Sequence, residues 1–154
     1  MKLTNNFNYN EFFISSRFPR IAESMKKHAP EQLKTLLYLL CHSLLQPIRD
    51  YYGVPIEITS GYRNHNLNSR IKGASKTSLH TQGIAADFTV KHKPNLLPIF
   101  NHIRQNLPYG QVILYEREDG TFRNIHVALP ALDKPQFHQR RIVLADGSTV
   151  ERDN

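Results

Sequence analysis

Cysteine is almost missing from this chain. Cys41 stands alone among 154 residues, which excludes an internal disulfide, and its leucine-rich neighbours read as the setting of a buried thiol in a protein that folds in a reducing compartment. Long apolar runs are missing too. The richest stretch, Leu36 to Leu45, is interrupted by His42 and Ser43 and falls far short of the ~18 residues that a membrane span needs. Met1 to Phe13, MKLTNNFNYNEFF, has asparagines where a signal peptide carries its apolar region, so cytoplasmic synthesis without such a leader is expected. No repeat, low-complexity tract or charge block divides the sequence, and one domain spanning 1–154 is expected. With 40% hydrophobic and 21% charged residues, disorder is excluded and a sizeable core is affordable at this length.

Acidic side chains are the scarcer charge. Thirteen Asp and Glu against twenty Lys and Arg give a net charge of +7 and a pI near 9.7. Such a balance favours polyanionic partners: nucleic acid, an anionic membrane face or a bacterial wall. The basic residues are nevertheless scattered, as Lys26-Lys27, Arg63, Arg70, Lys72, Lys76, Lys91, Lys93 and Arg140-Arg141. Without a dense basic stripe, a zinc-finger spacing or an RNA-recognition signature, most of them read as solvated surface, and neither a nucleic-acid nor a membrane partner is expected.

Residues 1–29 alternate aromatic and polar side chains without a sustained period, and read as a segment that lays its aromatics on the main body. A helix is predicted from Pro30, with Leu33, Leu36, Leu37, Leu40, Leu44 and Ile48 at helical spacing. Pro47 should kink it and Gly53 end it. Ile56 to Thr59 reads as a strand, and Asn64 caps a short helix that stops by Gly73. Strands follow at Ile84 to Val90, Gln111 to Glu116 and Phe122 to Leu129, with a helix over Leu96 to Leu107 started by Pro94 or Asn95. Asp119-Gly120 turns one hairpin, and Asp146-Gly147 turns another between Arg141 and Glu151. The fold class is therefore α+β, with a largely antiparallel sheet packed against helices.

The chemistry concentrates in Ser78-Leu79-His80-Thr81-Gln82-Gly83-Ile84-Ala85-Ala86-Asp87. Period-two alternation puts Ile84, Ala86 and Phe88 on a core face and Asp87 on the other, among small side chains. Ile125, Val127 and Leu129 similarly oppose His126. If the two strands are neighbours, His80, Asp87 and His126 meet on one sheet face, and two histidines with a carboxylate and an open fourth position make a catalytic zinc site. On these residues alone, capping or core histidines compete evenly with that reading.

Ser-x-His-x-x-Gly-x-Ala-x-Asp, preceded by Ser60-Gly61-Tyr62-Arg63 and followed by Ile125-His126-Val127, resembles the zinc D-alanyl-D-alanine carboxypeptidases. That family includes the vancomycin-resistance dipeptidases and the phage L-alanyl-D-glutamate endolysins, and shares its fold with the Hedgehog signalling domain. The resemblance runs from about Phe7 to Leu144 and includes the Asn68…Gly73-Ala74…Ser78 connection. It implies a zinc cleft on the sheet face, with His80, Asp87 and His126 as zinc ligands and the peptide stems of bacterial peptidoglycan as substrate. Arg63 would hold the peptide carboxylate or the scissile carbonyl, or else pair structurally with Asp87 or a strand-end carbonyl. Ser78 would orient the loop or bind substrate. Many relatives carry an acid three positions before the last zinc-binding histidine, where this chain has Arg123. Glu116 then becomes the candidate catalytic base, with Glu118 and Asp119 competing from the same turn. The resemblance implies a monomeric zinc peptidase acting at the wall, as a phage or prophage lysin would. A zinc-stabilised, non-catalytic virion or interaction module of the same fold is the alternative.

Overall fold

The computed structural model describes residues 1–93, 95–131, 133 and 138–151. The N-terminal segment does carry its aromatics inward: Phe7, Phe12 and Phe13 are buried around one 3-10 turn, Tyr9–Phe12. It lies so close to the following strand end that a Cβ on Gly61 would stand 2.5 Å from the Phe12 carbonyl oxygen. With glycine there, the Tyr62 N–H donates to that oxygen at 2.9 Å instead. Helix α1 (Pro19–Lys27) was not predicted. Its signals are Pro19 in the first turn, lysines in the last, and only Ala22 and Met25 fully buried, three positions apart. Two buried positions are too few to stand out from the aromatics before them.

The long leucine-rich helix begins at Leu33, later than predicted, because Pro30 only closes a turn by accepting the Leu33 N–H at 3.1 Å. It runs through α2 (Leu33–Leu40), a π-turn (Cys41–Leu45) and α3 (Gln46–Tyr52), and ends at Gly53. The distortion expected from Pro47 takes the form of that π-turn. Proline has no N–H to return to the preceding turn, and the Gln46 N–H bonds back to the Cys41 carbonyl. The Cys41 side chain is sealed in the core, where burial, followed by the charge of Glu11, pushes its thiol up to about 12. It is an inert packing residue.

Strand β1 (Ile56–Ser60) leads to the short helix α4 (His65–Ser69), capped as predicted by Asn64, whose Oδ1 accepts the Leu67 N–H at 2.8 Å. The helix ends before Gly73, at Ser69. Strand β2 (Ala85–Val90) and helix α5 (Leu97–Asn106) follow; the Asn95 side chain accepts the Leu97 N–H, and Pro94 lies outside the described residues. The sheet is completed by β3 (Gln111–Glu116), β4 (Phe122–Ala128), β5 (Gln139–Val143) and β6 (Thr149–Glu151). Its order is β1-β2-β4-β3-β5-β6. Every pairing is antiparallel except β3 with β5. The α+β class and the mostly antiparallel sheet thus agree with expectation, as do both hairpins; the parallel addition of β5 was not foreseen.

One face of the sheet is core. Ala86, Phe88, Val112, Leu114, Ile125 and Val127 are fully buried with the helical leucines Leu37, Leu40 and Leu44. Packing of that face fixes the register of each strand, since a one-residue slip would turn its apolar set outward. The register in turn decides which polar side chains meet on the opposite face.

Candidate metal centre

Strands β2 and β4 are neighbours, and Asp87 sits directly opposite His126. The same row continues to Ile113 on β3 and Arg141 on β5. Two residues along the strands, on the same face, a second row holds Ala85, Ala128, Gln111 and Gln139. The small side chains of that row leave room beside Asp87 and His126.

His80 arrives from outside the sheet, on a 3-10 turn (Leu79–Gln82) that enters β2 through Gly83. Gly83 has φ of 78°, a conformation that costs glycine little, and a Cβ there would lie 2.4 Å from the Leu33 side chain. Ser78 caps this turn, its Oγ accepting the His80 N–H at 3.3 Å. The loop-orienting role is therefore the one its contacts describe, although Ser78 also lines the cleft.

His80 Nε2, Asp87 Oδ1 and His126 Nδ1 form a compact triangle. The two nitrogens are 3.2 Å apart, His80 Nε2 is 3.2 Å from the carboxylate oxygen, and His126 Nδ1 is 2.9 Å from it. The outer nitrogens are pinned by oxygens. His80 Nδ1 lies 2.8 Å from the Gly61 carbonyl, and His126 Nε2 lies 2.7 Å from Gln111 Oε1. Gln111 presents its oxygen because its amide nitrogen donates to Gln139. A carbonyl oxygen only accepts, so each outer nitrogen carries the proton and each inner nitrogen turns its lone pair inward.

Three electron-pair donors facing one another at this range suit a cation among them. Tetrahedral zinc, with bonds of ~2.0–2.1 Å, sets neighbouring donors roughly 3.3 Å apart. The triangle fits that demand in spacing and donor type, and the oxygens behind both imidazoles are the outer support that metal-bound histidines use. His80, Asp87 and His126 are thus a group that can hold a metal ion.

Local electrostatics agree. Burial works to raise the Asp87 carboxyl, but the His80 and His126 imidazoles set against it outweigh burial and hold the group well below the usual carboxylate range. Burial lowers His126, and the nearby Asp87 charge only partly opposes this. The pair therefore rests as carboxylate and neutral imidazole, the states a metal requires.

The surrounding cleft, of about 390 Å³, is lined by Arg63, Ser78, Gln111, Ile113, Tyr115 and Arg141 among others. Arg63 points its Nη2 at Asp87 Oδ2, 3.7 Å away, while Nε donates to Ser60 Oγ at 3.2 Å. Its Nη1 faces Asn68 Oδ1 at 3.5 Å, and the Asn68 amide nitrogen donates to the Ser75 carbonyl. The connection between α4 and the His80 turn therefore positions Arg63. Arg63 lines the cleft, and Arg141, one of the basic residues read as solvated surface, lines it as well.

Glu116 is not brought to the cleft. Gln111, Ile113 and Tyr115 face it, Val112 and Leu114 face the core, and a register shift separates Tyr115 from Glu116. Past that irregularity Glu116 lines a separate surface hollow with Arg117, Glu118 and Arg123. Asp119 is committed to its turn, where its Oδ1 accepts the Thr121 N–H at 2.9 Å. Arg123, at the position of the relatives' acid, lies over the Tyr115 ring at 5.0 Å. Among the described residues, Asp87 is the one carboxylate lining the cleft. Sequence reasoning missed Gln111, Gln139, Tyr115 and Arg141, because only the pairing of β3 with β4 and β5 reveals which of their side chains face Asp87.

Residues 5–128 match the family described as Peptidase M15, and the chain belongs to that family. The matched span ends at the last residue of β4 and so contains the whole His80, Asp87 and His126 group. A comparison with curated proteins finds no match.

Proposed function

We propose that this M15 peptidase is a zinc enzyme that hydrolyses peptide bonds in bacterial peptidoglycan stems, of the D-Ala-D-Ala or L-Ala-D-Glu type, and acts at the wall. The observation that carries the reading is the triangle of inward lone pairs from His80, Asp87 and His126, with Arg63 beside it. Bound there, zinc would supply Lewis-acid polarisation of an amide carbonyl and of the attacking water. The chain's own part is orientation and charge. Gly61 and Gln111 hold the two imidazoles in their tautomers. Arg63, half-buried and restrained by Ser60 and Asn68, offers a fixed cation to the negative charge that develops on a carbonyl oxygen or to a substrate carboxylate. Tyr115 is held protonated, because burial, then the Asp87 charge, raises its phenol. It is a donor to substrate and not a base.

A second reading has its own support. With Asp87 already part of the metal group and no other carboxylate lining the cleft among the described residues, a module that binds metal without turnover fits the same geometry. Digestion of purified peptidoglycan by the zinc-loaded protein, with released peptides identified by mass, separates the two. Peptide release that His126→Ala abolishes is the expected result. Full zinc occupancy without release would overturn the enzyme reading in favour of the module.

A further inference from the structure

The cleft contains a second guanidinium that the metal group does not use. Arg141 comes from β5, beyond the span that matches the family, and stands in the same row as Asp87, His126 and Ile113. Two strand spacings of ~4.8 Å put its backbone about 10 Å from that of His126. Arg63, by contrast, touches the triangle itself. The Arg141 side chain is held by an orienting chain. His126 Nε2 contacts Gln111 Oε1, Gln111 donates to Gln139 Oε1, and Arg141 Nη2 donates to the same oxygen at 3.3 Å.

One feature of Arg141 asks for a ligand. Its Nε is buried and has no hydrogen-bond partner among the described residues, although such a group ordinarily costs free energy unless satisfied. A guanidinium with its fork turned into a cleft matches a carboxylate in charge and in geometry. Tyr115, protonated and lining the same wall, adds an O–H donor, and Ile113 provides an apolar step between this wall and the metal group.

We propose that Arg141, with Tyr115, is an anion subsite that takes a free carboxylate of the peptide substrate two or three residues from the scissile bond. The distance follows from the ~10 Å offset and the ~3.3–3.6 Å that each extended residue spans. The inference deepens the peptidase reading and rests on it. It narrows the substrate to a peptide with a second negative charge, apart from whatever group Arg63 holds.

The test uses L-Ala-γ-D-Glu-L-Lys-D-Ala, its form amidated at the D-Glu carboxylate, and its form amidated at the C-terminus. Apparent affinity for the zinc-loaded protein is read as Kd by calorimetry where mass spectrometry shows the peptide intact, and as KM where it shows hydrolysis. Wild type should lose ~10-fold or more in apparent affinity on amidation of one carboxylate, the scale of a charged hydrogen bond. Arg141→Gln should bind the free peptide as weakly as wild type binds that amidated form, and should no longer distinguish the two. Arg141→Lys should keep part of the preference, and it carries the test if Arg141→Gln unfolds. Equal affinity of wild type for all three peptides would overturn the subsite, as would an Arg141→Gln loss that is the same for each. Binding of none of them would instead remove the wall-peptide reading, and this inference with it.

Discussion

The two faces of the central sheet are made by the same strands and obey different rules. On the core face, Phe88, Ile125, Val127, Val112 and Leu114 are all fully buried and all apolar, and any one is tolerant of an apolar replacement of similar volume. On the cleft face, Asp87, His126 and Gln111 are polar, half-buried or buried, and tied to one another by directional contacts, with Tyr115 beside them on the cleft wall. The core face supplies stability and register; the cleft face draws on both to hold unfavourable groups together. Substitutions on the two faces should therefore separate: loss of folding free energy on one, loss of metal and ligand on the other.

The largest separation is expected at the metal group. His80→Ala and His126→Ala should each abolish binding of about one metal equivalent per chain, while His28→Ala, His92→Ala and His138→Ala should keep it, as read by elemental analysis. Metal bound by the wild type, but retained by His126→Ala, would break the division between the faces. Removing the metal with a chelator should lower the thermal midpoint, because binding to the native state alone stabilises it.

On the other face, Phe88→Ala should cost about 3–5 kcal/mol of unfolding free energy, the usual range for emptying a buried aromatic position. Denaturant unfolding reads that loss. The fraction that remains folded should still bind metal stoichiometrically, since Phe88 contributes nothing to the cleft wall. An unfolding cost near zero would show that the core is not what sets the register.

Much of this division was legible in the sequence, for a physical reason. Period-two alternation is a local property of each strand, so Ala86, Phe88, Ile125 and Val127 declare the core face without knowledge of any neighbour. The Ser78 to Asp87 segment also carries two of the three candidate metal ligands within one turn and one strand. Arg141 and Gln139 carry no such local mark. Their place in the cleft depends on a parallel pairing between β3 and β5, two elements separated in the chain by β4. The same limit explains Glu116. Period-two alternation alone sets it on the face away from Gln111, Ile113 and Tyr115, and only the parity of the cleft wall, known once the strands are paired, shows that this face is the wrong one.

Gln111 sharpens the comparison at intermediate size. Its oxygen fixes the His126 tautomer, so Gln111→Leu leaves the ligands intact but frees the ring. Metal affinity should fall by roughly 10–100-fold, as it does when such outer partners are lost, with little change in unfolding free energy. A competition titration against a chromophoric chelator measures it. Unchanged affinity would mean that packing alone holds His126.

A smaller effect is expected from pH in the metal-free protein. The folded His126 has its pKa lowered, chiefly by burial, whereas the unfolded chain's histidine titrates near ~6.5. Above that value both states are neutral there and no stability depends on it. As pH falls below ~6.5, the unfolded chain takes up a proton that the folded one resists, so stability should decline. Asp87, also depressed, adds a further loss below the ordinary carboxylate range near ~3.9. Thermal midpoints measured from pH 8 down to pH 4, compared with those of His126→Gln, test this: the variant should lose less between pH 7 and pH 5. Parallel curves would assign the decline to other groups.

The smallest effect belongs to Glu116, and its smallness is the informative part. Were this carboxylate the proton acceptor for the attacking water, Glu116→Gln would cost ~10²–10⁴-fold in turnover with metal retained. Its position argues otherwise. The residue lies beyond a break in the β3 register, lines the hollow shared with Glu118 and Arg117, and is absent from the wall formed by Gln111, Ile113 and Tyr115. Glu116→Gln should therefore keep metal, fold and peptide release within about threefold of wild type, as Glu118→Gln and Asp119→Asn should. A loss in the range expected of general-base catalysis would show that the strand end rearranges when peptide binds and carries Glu116 around Tyr115 into the cleft. Hydrolysis that survives all three substitutions would require a proton acceptor other than these acids, with Asp87 the remaining carboxylate at the site.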